Sequence, residues 1–178
     1  GKLAAFVAKR LLKGYKVTVL AVEATRFTGP LHRHIGKYRS FKEKRAPYNP
    51  ERGSFHWSEP SKYFKYKVFR GMVARKTKRG ARAIEALDCY EGIPRQFENV
   101  ERSIVPRALL DVTADCNRAS CTMGELLSKF GWHHAELAAS LTAELRGRED
   151  AAREAQKERD AKVAALRNSS EFASEVER

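Results

Sequence analysis

An α/β fold is what this sequence predicts, on three observations. The run Leu3 to Leu12 places Leu3, Phe6, Val7, Arg10 and Leu11 on one helical stripe and closes with Lys13 and Gly14, a basic last turn followed by a glycine where a left-handed C′ residue belongs. Directly after it, Tyr15 to Glu23 is a β-branched, mostly apolar run of strand length, the pattern of a strand buried on both faces of a parallel sheet. Helix, glycine and buried strand make half of a βαβ unit whose opening strand is not among the residues in hand. Finally, 178 residues at 42% apolar and 32% charged suffice for one domain with a core, burying very roughly 70% of the unfolded surface.

The remaining elements follow in order. Thr28-Gly29-Pro30 is a turn, and Leu31 to Arg45 reads as a helix with Leu31, Ile35, Tyr38 and Phe41 packed and with Arg33, His34, Lys37, Lys42 and Lys44 on the other face. Ala46 to Pro60 holds three prolines and a glycine and predicts an ordered but irregular loop. Its Tyr48, Arg52, Phe55, His56 and Trp57 suit stacking on unpaired bases or, for Phe55 and Trp57, tucking into the core. A helix capped by Ser58 or Ser61 runs through Tyr63, Phe64, Val68 and Phe69 toward Gly71, and Gly80 to Leu87 resumes helically with Ala83, Ile84 and Leu87 inward. Asp88 to Pro94 is a brief strand and turn. Arg102 to Val112 reads as a final strand or a helical turn. Thr122-x-x-Glu125 is a capping box opening a helix from Met123 to Phe130 that Gly131 ends. Trp132 begins the last helix, on which Leu137, Leu141 and Leu145 recur at fours; beyond Arg146 the apolar stripe thins, so the tail lies along a neighbour or frays.

Charge is regional. Between Arg26 and Arg82 there are 17 Lys and Arg against three acids, a net of +14, whereas the whole chain carries +13. The centre of this block, Phe69 to Arg82, has six basic residues in fourteen, no acid and two glycines. A solvated face mixes signs; a one-sided block of this length repels itself unless a polyanion neutralises it.

Other functions lack their residues. There is no G-x-G-x-x-G, P-loop, G-x-S-x-G or H-E-x-x-H. His32 and His34 point about 200° apart on a helix, and Cys116-x4-Cys121 with the adjacent His133-His134 does not close a zinc tetrahedron of usual spacing. No metal or other cofactor is expected. Cys89, Cys116 and Cys121 form no C-x-x-C pair and read as free thiols in a reducing compartment, Cys89 as a small buried residue. The longest apolar run, Val17 to Val22, is too short to span a bilayer.

Several blocks then fall in an order that resembles a known family. They are Gly1-Lys2-Leu3-Ala4-Ala5 with Val7-Ala8-Lys9, Gly29, Lys37-Tyr38, Asn49-x-x-Arg52-Gly53-x-Phe55-His56, Pro60-Ser61-Lys62-x-Phe64, Arg70-Gly71-Met72-Val73, Lys76-Thr77-Lys78-Arg79-Gly80, Glu91-Gly92-Ile93-Pro94 and Gly131-Trp132. From Gly1 to about Leu145 the chain is similar to the large-subunit ribosomal protein family numbered thirteen, in its archaeal and eukaryotic form. The resemblance implies a three-layer α/β/α core on a mostly parallel four-stranded sheet, here without the family's first strand, as residues 1–133. A helical extension, 134–178, would pack on RNA expansion segments or on neighbouring ribosomal proteins. It further implies a non-enzymatic structural constituent of the cytosolic large subunit, assembled in the nucleolus if eukaryotic, with large-subunit ribosomal RNA as partner and no membrane or small-molecule substrate. The RNA-contacting residues are then expected to be Arg33, His34, Lys37, Tyr38, Arg52, His56, Lys62, Arg70, Arg75, Lys76, Lys78, Arg79 and Arg82, with Gly53, Gly71 and Gly80 permitting close backbone approach. Departures are Arg95-Gln96 where relatives carry Pro-Pro, and a more acidic tail. An off-ribosome RNA-binding regulator would carry the same surface; a nucleotide-dependent α/β enzyme with a basic cleft is the contrasting class.

Overall fold

The structure, a computed structural model, describes residues 1–115 and 117–167. Cys116 and the end of the tail, residues 168–178, lie outside the described residues, so the expectations placed on them stay at the level of sequence. The chain divides into two compact units, Gly1–Ala138 and Ala139–Arg178.

In the first unit, α1 (Lys2–Leu12) ends as its sequence demands, with Lys13 as cap and Gly14 at φ +96. Its buried stripe is Ala4, Val7, Ala8 and Leu11, rotated from the expected one; Phe6 is left 39% exposed with the Arg10 guanidinium 5.2 Å over its ring. The strand that follows is short. β1 (Val17–Val19) stops because Ala21 takes a left-handed conformation at φ 50 and Val22–Ala24 becomes a 3-10 turn. Both carboxylate oxygens of Glu23 then accept the Gly92 N–H at 3.0 Å, stapling that turn to the loop after β5 (Leu87–Cys89).

The α/β class holds, and β1 pairs β5 in parallel, Val17 opposite Leu87 and Val19 opposite Cys89. Among the described residues that parallel sheet has two strands and not four. The other strand pairs among the described residues are antiparallel: β2 (Arg26–Thr28) with β6 (Ser120–Thr122), and β3 (Arg45–Ala46) with β4 (Asn49–Gly53). Of the two readings open for Arg102 to Val112, a final strand or a helical turn, the helical one forms: a 3-10 turn at Pro106–Ala108 is followed by α5 (Leu110–Thr113), as a proline that fixes φ and lacks an N–H favours. The stretch expected to be irregular contains the β3–β4 hairpin, turned at Pro47-Tyr48.

Two apolar clusters form the core. One gathers Ala4, Val22, Tyr38, Phe64, Met123, Leu127 and Trp132, the other Val7, Ala8, Leu11, Phe69, Val73, Ala83 and Leu87. Both draw on α1 and on the segment from α3 (Pro60–Lys62) through Tyr63–Phe69. Pro60 opens α3 at its first turn after Glu59; Ser61 does not cap, and gives its N–H and Oγ–H to Glu91 Oε1 at 3.1 and 2.9 Å. Tyr63–Phe69 is π-helical, with the Arg70 N–H reaching back five residues to Lys65 O. The pattern explains it: Tyr63 and Val68, like Phe64 and Phe69, are five apart. In an α-helix that spacing puts side chains about 140° apart, whereas i→i+5 bonding lets one segment send Phe64 and Phe69 inward at 1% and 0% exposure. Each buried ring is worth about 1.5–3 kcal/mol over an exposed one.

α2 (Leu31–Glu43) and α4 (Lys78–Glu85) complete the frame. Thr77 caps α4, its Oγ1 accepting the Gly80 N–H at 3.1 Å and donating to Ala74 O at 2.8 Å. The capping box of α6 (Met123–Ser128) forms as read, Glu125 N–H to Thr122 Oγ1 at 3.1 Å and Thr122 N–H to Glu125 Oε2 at 3.0 Å. Gly131 at φ +105 turns the chain so that Trp132 drops into the core, where it is not the start of a helix. α7 (Ala135–Arg167) starts three residues later, with Ala135 and Ala138 against the first cluster. In the second unit α7 remains helical to Arg167, with Leu141 and Val163 exposed and polar pairs such as Asp150–Arg153 at 3.2 Å along it.

A Cβ on Gly80 would lie 2.1 Å from the Ala74 carbonyl oxygen, while one on Gly71 meets nothing within 4 Å. Gly80→Ala therefore costs about 1–3 kcal/mol, and Gly71→Ala stays within about 0.5 kcal/mol of the parent. Urea unfolding of the two variants measures the difference; equal midpoints would refute the packing argument.

Candidate nucleic-acid interface

The thirteen expected contact residues separate into an exposed set and a set the fold uses itself. Arg33 and Lys37 stand exposed on α2, Arg52 on β4, Arg75 and Lys76 in the turn before α4, and Lys78 and Arg82 on α4. Arg70 is half-buried at the end of the π-helical segment. Lys62 is exposed and paired with Glu59 at 2.9 Å. Arg79 is exposed, but its guanidinium donates to Leu12 O through Nη2 at 3.0 Å and Nε at 3.3 Å, tying α4 to the end of α1.

Tyr38 is not a surface group. It is 5% exposed, its ring centroid 4.3 Å from that of Phe130 and 5.9 Å from that of Tyr63, and its hydroxyl donates to Trp57 O at 2.8 Å. It sits on the packed stripe of α2, where a phenol is retained once its O–H finds a carbonyl. Gly80 and Gly53 likewise serve the protein: Gly80 is filled by Ala74 O, and a Cβ on Gly53 would meet Lys44 O at 3.0 Å and Arg45 Nη1 at 2.9 Å. Of the three glycines read as points of backbone approach, Gly71 is the one with open space.

His34 and His56 have local partners. His34 Nε2–H donates to Thr28 O at 3.0 Å and its ring lies 5.5 Å from that of Phe27. Arg45 Nη1 donates to His56 Nε2 at 3.3 Å, which puts the imidazole proton on Nδ1, a buried atom with no partner in the protein. Burial first, then the charges of Arg45, Lys42 and Lys67, hold the His56 pKa below its ordinary 6.5. Among the described residues no group of three or more His, Cys, Asp or Glu could hold a metal. Burial pushes the Cys89 thiol up to about 12, with Asp88 adding to the rise and Lys65 opposing it.

Three features were missed in the sequence. Trp57 stacks on Tyr66 at 6.0 Å and 20°, and Phe55, 81% exposed, continues that ladder 6.5 Å from Trp57; Tyr66 was invisible because its partner lies in the irregular segment between β4 and α3. Lys67 Nζ sits 3.4 Å over the Phe41 ring. A hollow of ≈ 540 Å³ is lined by Thr28, Gly29, Pro30, Arg33, His34, Lys37, Arg118 and Ala119. Arg118 arrives there because β2 and β6 pair with Thr28 opposite Ser120, and the Gly29 N–H donates to Ala119 O at 2.7 Å.

A basic coat on a mixed α/β core matches a known family. The family model described as Ribosomal protein L13 matches residues 1–96, more than half of the chain. The chain belongs to the ribosomal protein L13 family. It is 40% identical over 141 residues to the large ribosomal subunit protein uL13 of Drosophila melanogaster, an alignment covering 79% of this chain and 68% of that one. Membership gives this L13-family chain a structural ribosomal role and no enzymatic one. No helix among the described residues is long and apolar enough to cross a membrane.

Between the lowered folded pKa of His56 and 6.5 the unfolded chain holds the extra proton, so the contribution of His56 to stability is complete above about pH 6.5 and falls as pH drops through that window. An NMR titration will place His56 below 6.5, and Arg45→Gln will move it upward. An unshifted His56 in the parent, or no rise in the variant, contradicts this.

Proposed function

We propose that this chain is a constituent of the large ribosomal subunit that clamps large-subunit ribosomal RNA and is needed for subunit assembly. The observation that carries the reading is the state of the basic block. Of its 17 Lys and Arg, only Arg26 and Lys62 meet a carboxylate within 4.0 Å among the described residues, and all but Lys65 and Arg70 are exposed. Fifteen cations without internal counter-charges mark a surface built for phosphates contributed from outside. Strands of RNA that repel one another can be held together by such a surface, and the exposed Phe55 at the end of the aromatic ladder suits an unpaired base. The fold supplies rigidity; RNA shape and a few stacked bases supply specificity. α7 and the tail are assigned to neighbouring ribosomal proteins, because their mixed charge lacks the one-sided character of the block. The site of action is the cytosolic ribosome, with assembly in the nucleolus in a eukaryote.

The test uses the double variant Lys76→Glu with Lys78→Glu. Both side chains are exposed, and Lys78 is the first residue of α4, where an acid is favoured by the helix dipole, so the isolated fold survives. Arg79 is spared because it ties α4 to α1. In sedimentation the parent co-migrates with large subunits and is released by high salt, and the variant stays in the soluble fraction with an unchanged circular dichroism spectrum. Normal incorporation of the variant would refute the proposal.

A further inference from the structure

We infer that the hollow between the β2–α2 turn and the 118–119 segment is a seat for one phosphate group of the RNA backbone, an inference that rests on the RNA reading above. Three cations converge on it from two separated stretches of chain, Arg33 and Lys37 from successive turns of α2 and Arg118 from the lead-in to β6. No residue lining it is acidic, and among the described residues none of the three cations meets a carboxylate within 4.0 Å. Cations gathered in a concavity focus their field more strongly than the same charges on a convex face. The wall of the hollow is also held in shape by its own residues: the Gly29 N–H bonds Ala119 O at 2.7 Å and His34 Nε2 bonds Thr28 O at 3.0 Å. A ligand thus meets a preformed wall whose lining includes two arginines, one on α2 and one before β6, and a lysine one helical turn along α2. That donor set suits a tetrahedral oxyanion, because guanidinium forks bind phosphate oxygens in pairs and Lys adds a point charge. An extended backbone kinked so that one phosphate enters is the occupant that joins this hollow to the open cations of the basic block. The role falls on Arg118, which lies outside that block in sequence.

Two variants of the full chain separate this seat from general electrostatic attraction. Arg118→Ala removes a cation; Ala119→Trp leaves every charge in place and fills the hollow. Binding to protein-free large-subunit ribosomal RNA is followed by fluorescence anisotropy across a salt series, with circular dichroism as the check on folding. Both variants are expected to weaken binding by about tenfold, the effect of one charge-assisted contact, and to reduce the salt slope by about 1. Parent-like RNA binding by Ala119→Trp overturns the seat and leaves the RNA reading standing. If the parent shows no salt-dependent RNA binding, the RNA reading fails too. A parallel titration with inorganic phosphate, followed by NMR at the Gly29 amide, separates the sources: a phosphate-induced shift reversed by added RNA supports the backbone assignment, and one that excess RNA leaves unchanged makes free phosphate the occupant and overturns it.

Discussion

The structure is governed by an uncompensated charge. A chain that placed 17 basic residues among three acids between positions 26 and 82 could have folded its carboxylates from elsewhere onto them, and among the described residues it does so once, with Asp111 at 3.6 Å from Arg26. Glu23 and Glu91 are spent on backbone and hydroxyl donors, Gly92 and Ser61. Glu125 closes its own capping box. These three acids therefore fix loops and a helix start, and the self-repulsion of the cations is left for a partner to relieve.

This division needs a core that tolerates repulsion on its surface, and the packing shows how it is met. α2 buries a single side chain, Tyr38, and α4 only Gly80 and Ala83, so most of each helix's circumference is free for basic residues. The lost helix burial is recovered elsewhere: the π-helical segment sends both Phe64 and Phe69 into the interior, and Met123 and Leu127 of α6 are fully enclosed. Close approach also does work here. Gly80 lets the turn before α4 close on the helix at Ala74 O, and Arg79 bonded to Leu12 O ties the basic helix α4 to the end of α1.

The sequence was most informative where local chemistry decides alone. Gly14 and Gly131 at positive φ, the Thr122 and Glu125 capping box and the inward Tyr38 on α2 were all legible from spacing and residue type. What escaped was set by distant partners. The strand after Tyr15 is cut short by a left-handed Ala21 that Gly92 and Tyr90 stabilise from 70 residues away through their carbonyls, which accept from Ala21 N–H and Val22 N–H. β2 and β6 are three residues each and exist only because they find one another. Tyr38 and Gly80 fell within blocks that looked like an RNA surface; position in a motif did not reveal that Trp57 O and Ala74 O hold them. Conversely, Arg118 looked like an ordinary residue of a polar loop, and only the β2–β6 register brings it beside Arg33 and Lys37.

The most direct measurement of the central claim is the dependence of RNA affinity on salt for the full chain. A surface meeting six to ten phosphates gives a slope of log K against log salt of about −5 to −9, and a loss of roughly 10³ to 10⁵ in affinity between about 50 and 200 mM. A slope near zero, with the lysines and arginines of residues 26–82 remaining accessible to acylation or other side-chain labelling in the presence of RNA, would contradict the account.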